Sequence, residues 1–222
     1  MAMPLKNLVD GNEERDKPFM YIDSSIKKYL DDLSAKLPAP GGGSAAALVS
    51  ATGISCLLMV ANFTVDKKDC EQYQDEIKKI RTLLATCYSL LTTFIDEDVS
   101  AYTKLSESYK LSKEDKSRNE KIQEALKNSL SIPCKIFEIS VEMLPVAARL
   151  SEIGNKNLLS DVACGVLFLR AGIESAKVNI DINLKFMDDA DFKNETKIKY
   201  EKIINDAFEK IEKIIKKTEA KL

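Results

Sequence analysis

The sequence predicts an all-α fold in one domain, on three observations. With 8 Gly and 6 Pro in 222 residues, turn formers are too scarce for a loop-rich β chain. Apolar residues recur at helical spacing in long segments from Ser24 onward, and neither strand-like alternation nor an internal repeat competes. The 45% hydrophobic and 31% charged composition is that of a globular chain with a full core, not of a disordered one.

Taken in order, residues 1–22 are polar and contain Pro4, Gly11 and Pro18, so they read as a loose N-terminal arm ahead of a helical domain at 23–222. The first helix begins near Ser24 with Ile26, Tyr29, Leu30 and Leu33 on one face, and Leu37-Pro-Ala-Pro-Gly-Gly-Gly-Ser44 breaks it. From Leu37 to Val65 there is no charge. A membrane span is the competing reading there. Ser50, Thr52, Gly53, Ser55 and Asn62 interrupt the run and no basic flank orients it, so a buried central helix is predicted. Its small residues, Ala45, Ala46, Ala47, Ala51 and Gly53, admit a second helix at close range.

A long amphipathic segment at about 68–110 carries the stripe Ile77, Ile80, Leu84, Cys87, Leu91, Phe94, Ala101 and Leu105. A second, at about 114–152, contains Pro133 and Pro145, which should kink or divide it, and Gly154 closes it. A third, at about 157–187, shows Leu158, Val162, Val166, Leu169, Ile173 and Ala176. The last, at about 189–221, alternates Lys and Glu around Tyr200, Ile203, Ile204, Phe208, Ile211 and Ile215, as a packed surface helix or an oligomer contact does.

Charge and composition exclude several function classes. The net charge of −2 offers no field for nucleic acid. The absence of His excludes Ser-His-Asp and Cys-His nucleophile systems and His-ligated metal sites, leaving carboxylates, Lys, Tyr, Cys or water to move protons. Cys56, Cys70, Cys87, Cys134 and Cys164 are odd in number and form no C-x-x-C, which reads as reduced, mostly core-filling thiols. No apolar signal-peptide core opens the chain, so a cytoplasmic location is expected.

Some residues resist a purely structural reading. Pro40-Gly41-Gly42-Gly43-Ser44 combines glycines able to take positive φ with Ser44 as a natural N-cap, which suits an anion or a polar ring edge; a plain tight turn is the alternative. It is no Walker A loop, since the spacing is wrong and no Lys follows. Asp98 stands on the stripe between Phe94 and Ala101 where an apolar residue belongs, with Tyr102 one turn on; Asp96 and Glu97 fall off that position and read as solvated. A buried carboxylate needs donors, a raised pKa or a cationic ligand. Asp161 likewise interrupts an inward face shared with Leu158, Gly165 and Gly172, while Asn155, Asn157 or Ser160 can cap its helix. Asn179 and Asn183, one turn apart on a low-bulk face, suit helix–helix bonds or a polar heterocycle equally. Asn62 ends the apolar helix as a cap or a ligand group, and Arg170 calls for a carboxylate partner.

Together these segments resemble a known family. Leu37-Pro-Ala-Pro-Gly-Gly-Gly-Ser-Ala-Ala-Ala47, Met59-Val-Ala-Asn-Phe-Thr64, Ile95-Asp-Glu-Asp-Val-Ser-Ala-Tyr102, Gly154-Asn-Lys-Asn-Leu-Leu-Ser-Asp161 and Val178-Asn-Ile-Asp-Ile-Asn-Leu184 follow, in order, the motifs of the formimidoyltetrahydrofolate cyclodeaminase / methenyltetrahydrofolate cyclohydrolase family. The resemblance covers about residues 24–222. It implies a helical domain that self-associates as a homodimer or higher homo-oligomer and takes a reduced folate as substrate, with no metal or other cofactor and no nucleic-acid or membrane partner. The implied reaction is closure of 5-formiminotetrahydrofolate to 5,10-methenyltetrahydrofolate with loss of ammonia; the alternative is hydrolysis of the methenyl compound to 10-formyltetrahydrofolate. Asp98 is the first choice for the acid/base and Asp161 the second, one of them holding the pterin instead. Gly41, Gly42, Gly43, Ser44, Asn62, Asn155, Asn179 and Asn183 would line the folate site. The competing class is a non-enzymatic helical binding module, which leaves the inward carboxylates and the glycine-rich loop unexplained.

Overall fold

A computed structural model describes residues 19–221; the expected arm therefore lies outside the described residues except for its last four positions. A 3₁₀ turn at Tyr21–Asp23 leads into α1 (Ile26–Ser34), α2 (Gly42–Asn62), α3 (Gln74–Tyr109), α4 (Arg118–Glu142), α5 (Leu144–Ile153), α6 (Leu159–Lys185) and α7 (Ala190–Glu219), with 3₁₀ turns before α3 and α6. No strand occurs among the described residues.

Helix α2 is the axis of the bundle. It packs against α3 on one side and α6 on the other, α4 spans both flanks behind it, and α7 lies on α6. Although α2 is long and apolar enough to cross a membrane, more than half of its most apolar stretch is buried in the fold, as expected of a central helix. The small residues act as predicted. A Cβ on Gly53 would meet the Gly165 carbonyl at 2.9 Å, and a Cβ on Gly165 would meet the Gly53 carbonyl at 3.0 Å, so the two backbones touch. Close by, Gly172 leaves room for Ser50, whose hydroxyl accepts from Ser140 on α4 at 3.0 Å. These paired positions also show that α2 and α6 run antiparallel.

The predicted stripe of α3 is buried from Ile77 to Leu105, apart from the half-buried Ala101 and the Asp98 position. Pro145 divides the fourth segment, sitting in the first turn of α5 where its missing N–H costs nothing, whereas α4 continues through Pro133. Three expectations need correction. In α1 only Tyr29 is buried; Ile26 and Leu30 are exposed, because a nine-residue helix meets the core on one narrow edge. Of the thiols, only Cys70 and Cys87 are buried, Cys56 and Cys134 are half-buried, and Cys164 is exposed. Asp96 is no solvated spectator either. It accepts backbone N–H bonds from Tyr21 at 2.6 Å and Ile22 at 3.1 Å, so ordered packing begins slightly ahead of the expected boundary.

Candidate active site

The glycine-rich loop works differently from the way its sequence suggests. Ala39–Pro40 is a cis peptide, Gly41 is extended at φ −133°, and α2 starts at Gly42. No glycine among the described residues takes a positive φ. Ser44 is not the N-cap: it lies within the first turn, fully buried, and its hydroxyl accepts from the Tyr29 phenol at 3.2 Å. Gly41 is the cap and offers no side-chain acceptor. Asp98 instead reaches across from α3 and lays its carboxylate against this helix start, close enough for the Ser44 backbone N–H to favour its ionised form.

Gly43 makes this possible. A Cβ there would stand 2.6 Å from the Asp98 carboxyl carbon and 2.8 Å from Oδ2, so only glycine lets the carboxylate lie against the helix start. Free N–H groups and the positive end of the α2 dipole favour the ionised form. Burial opposes them more strongly, and the Asp98 carboxyl is pushed up to about 6, with the Ser44 N–H pulling the other way. A carboxyl with that value exchanges a proton readily near neutral pH. Burial, with Asp98 and Asp96 as lesser contributors, also pushes the Tyr29 phenol up.

Asn179 closes this end from α6: a Cβ on Gly42 would lie 3.3 Å from its Nδ2. Asn179 donates to the Ser175 carbonyl at 2.8 Å, and Asn183 donates to the Asn179 carbonyl at 2.8 Å. Neither side chain bonds to another helix, and each amide keeps its carbonyl oxygen for another donor. Asp98, Gly42, Gly43, Ser44 and Asn179 thus form one cluster, with Asn183 a turn further along α6.

Asp161, Asn155 and Asn62 lie elsewhere. Asp161 is in the first turn of α6 near Cys56 and Cys164, as its influence on the Cys56 thiol shows. Asn155 caps the 3₁₀ turn before α6 by accepting the Asn157 N–H at 3.1 Å, and its own N–H bonds Thr64 Oγ1 at 3.0 Å. Asn62 is exposed at the last residue of α2. From Gly43 to Cys56 the helix rises roughly 20 Å at about 1.5 Å per residue, so the chain does not bring its two candidate carboxylates together. Between them, antiparallel α2 and α6 are in direct backbone contact. Beside the second group a cleft of about 420 Å³ is lined by Lys67, Tyr73, Glu152, Asn155 and Asn157. Arg170 finds its partners internally, in Glu174 at 3.0 Å and Glu212 of α7 at 2.9 Å, and takes no part in either cluster.

Comparison with known proteins agrees with this architecture. The chain is 32% identical over 204 residues to the methenyltetrahydrofolate cyclohydrolase of Methylorubrum extorquens, covering 90% of this chain and 98% of that protein. It is 28% identical over 190 residues to the formimidoyltransferase-cyclodeaminase of Mus musculus, of which it spans 35%. The crystal structure of formiminotetrahydrofolate cyclodeaminase from Thermotoga maritima superposes with a TM-score of 0.77 at 28% identity, over 90% of this chain and 96% of that one. A profile of the formiminotransferase-cyclodeaminase family matches residues 25–202, so the chain belongs to that family.

Proposed function

We propose that the chain closes 5-formiminotetrahydrofolate to 5,10-methenyltetrahydrofolate with release of ammonia, working in the cytoplasm as a homodimer or higher homo-oligomer and without a metal. The observation that carries this reading is the Asp98 carboxyl held on the start of α2 beside Gly43, poised near pH 6.

Chemically, N10 attacks the carbon of the formimino group, which is protonated on nitrogen, forming the N10–C bond and a tetrahedral centre. The N10 proton must then reach the amino nitrogen before the C–N bond breaks and ammonia leaves. A carboxylate serves both steps in turn, accepting the proton from N10 and delivering it to the leaving amine, without any histidine. Ionised, Asp98 also favours the positive charge that spreads over N5, carbon and N10 in the product. The free carbonyl oxygens of Asn179 and Asn183 suit the donor edge of a pterin.

A second reading is methenyltetrahydrofolate cyclohydrolase, favoured by the likeness to the Methylorubrum protein over nearly its whole length. There water attacks the same carbon, Asp98 takes its proton, and the C–N5 bond of the tetrahedral centre breaks as N5 is protonated, leaving the formyl group on N10. Near-ultraviolet absorbance of the methenyl product separates the two. A rise from 5-formiminotetrahydrofolate with ammonia release supports the first, and accelerated decay of the methenyl compound alone supports the second. No change in either, with folded protein, removes both and leaves a binding module.

A further inference from the structure

The one buried residue of α1 is Tyr29, at 4% exposure too enclosed to touch a substrate. Its phenol reaches the start of α2 and donates to the Ser44 hydroxyl at 3.2 Å. Phenylalanine would fill the same space without needing a partner, so the hydroxyl calls for a reason.

Ser44 supplies one. Burial raises the Asp98 carboxyl, and the Ser44 backbone N–H is the group that opposes it. The turn that carries this N–H is poorly fixed by its own sequence. Gly41 caps α2 without a side-chain bond, and Gly42 and Gly43 follow, where the backbone is softest. Ser44 is the first residue of the helix with a side chain by which it can be held, and Tyr29 holds it.

Tyr29 is itself held from behind. The Tyr21 ring meets it edge-on at 5.5 Å, and Phe19 meets Tyr21 in the same way at 5.0 Å. The Tyr21 phenol donates to Asp32 of α1 at 2.9 Å, while the Tyr21 and Ile22 N–H groups are tied to Asp96. Asp96 stands two residues before Asp98 on α3. The contacts therefore close a ring, from α3 through the Tyr21 turn to Tyr29, on to Ser44, and back to Asp98 on α3. Burial, with Asp98 and Asp96 adding to it, pushes the Tyr29 phenol up and so keeps it a donor at neutral pH.

We propose that Tyr29 is a positioning residue for Asp98: its phenol fixes Ser44, and with it the first turn of α2 against which the carboxylate lies. It deepens the folate reading, on which its rate measurements rest.

Tyr29→Phe tests this by removing one oxygen and keeping the ring. In this variant kcat should fall on the order of 10-fold, short of the roughly 10²-fold of a 1 Å displacement, with KM within about twofold. The acid limb of log kcat/KM should move up by roughly half a unit, because the N–H that favours ionised Asp98 is no longer held in place. Ser44→Ala deletes the other half of the bond and should give the same limb shift. The double variant should shift the limb no further than either single one, as two groups acting through one contact do. A role in packing alone lowers Tm and leaves kcat per folded molecule and the limb unchanged, which overturns the proposal, as do additive shifts in the double variant. Should the wild-type chain act on neither folate, the functional reading fails separately and the carboxyl is followed directly. In ¹³C-labelled protein the side-chain carboxyl resonance absent from Asp98→Asn should titrate near pH 6. Its midpoint should rise by the same roughly half a unit in Tyr29→Phe, and an unmoved midpoint overturns the proposal whether or not the chain turns over folate.

Discussion

Gly43 and Gly53 sit on the same helix and are glycines for different reasons. At Gly53 the missing side chain admits a backbone, that of α6 at Gly165. At Gly43 it admits a carboxylate, Asp98. The first gap is filled on folding by main chain that has no alternative position. The second is filled by a titratable group held where it is uncomfortable. One site gains stability from closeness and the other gives some of it up.

The sharpest way to break this comparison is Asp98→Asn. Turnover should fall by about 10²–10⁴-fold, the usual worth of a positioned acid/base, while circular dichroism stays native. The same variant should be more stable than wild type above pH 6, and the sign follows from linkage. In the folded chain the Asp98 carboxyl titrates near 6, above the roughly 3.9 of an unfolded Asp. Between those values the unfolded chain ionises first, so stability falls as pH rises, and the full penalty is present above 6 and absent below about 4. Thermal melts at pH 7.5 should therefore show Asp98→Asn higher by roughly 3–8 °C, a difference that vanishes at pH 4.

Gly43→Ala comes next. Alanine is the better helix former by about 1 kcal/mol, but its Cβ displaces the carboxylate, and an error of about 1 Å costs on the order of 10²-fold in rate. Lost activity in a chain that melts no lower is the expected pair of results. Gly53→Ala should do the reverse, lowering Tm by roughly 3–10 °C through overpacking while kcat per folded molecule holds. A fall in both for either variant would erase the distinction. For wild type, log kcat/KM should rise with pH and level off near pH 6 as Asp98 ionises; a limb elsewhere assigns the base to another group. Arg170→Ala is the smallest effect, within about 1 kcal/mol by denaturant melts and silent in activity, because its two ion pairs are half-exposed.

The helices were legible in the sequence because their stripes are long and uninterrupted, and Asp98 was legible for the converse reason, as the polar residue on such a stripe. What it bonds was not. A carboxylate from α3 lying against the start of α2 is a contact between distant segments, and local rules therefore assigned the cap to Ser44. The same limit hid the clamp on Asp96, whose partners Tyr21 and Ile22 are far off in sequence. The separation of Asp161 from Asp98 within the chain was hidden for a further reason. Periodicity reports which side of a helix faces inward but not which end, and the antiparallel pairing of α2 with α6 sends these two residues to opposite ends. Asn179, by contrast, could be found from its one-turn spacing to Asn183, although spacing alone left open whether other helices would take up the amides.

The contact of Gly53 with Gly165 also bears on how such a site diversifies. Two backbones in touch cannot slide past one another, so the position of Asn179 against Gly42 is set several turns away from either. Selection for a different nucleophile at the same carbon, N10 or water, then has no scaffold movement to draw on. It has to work by exchanging side chains at the ends of α2 and α6, which leaves the bundle itself common to both chemistries.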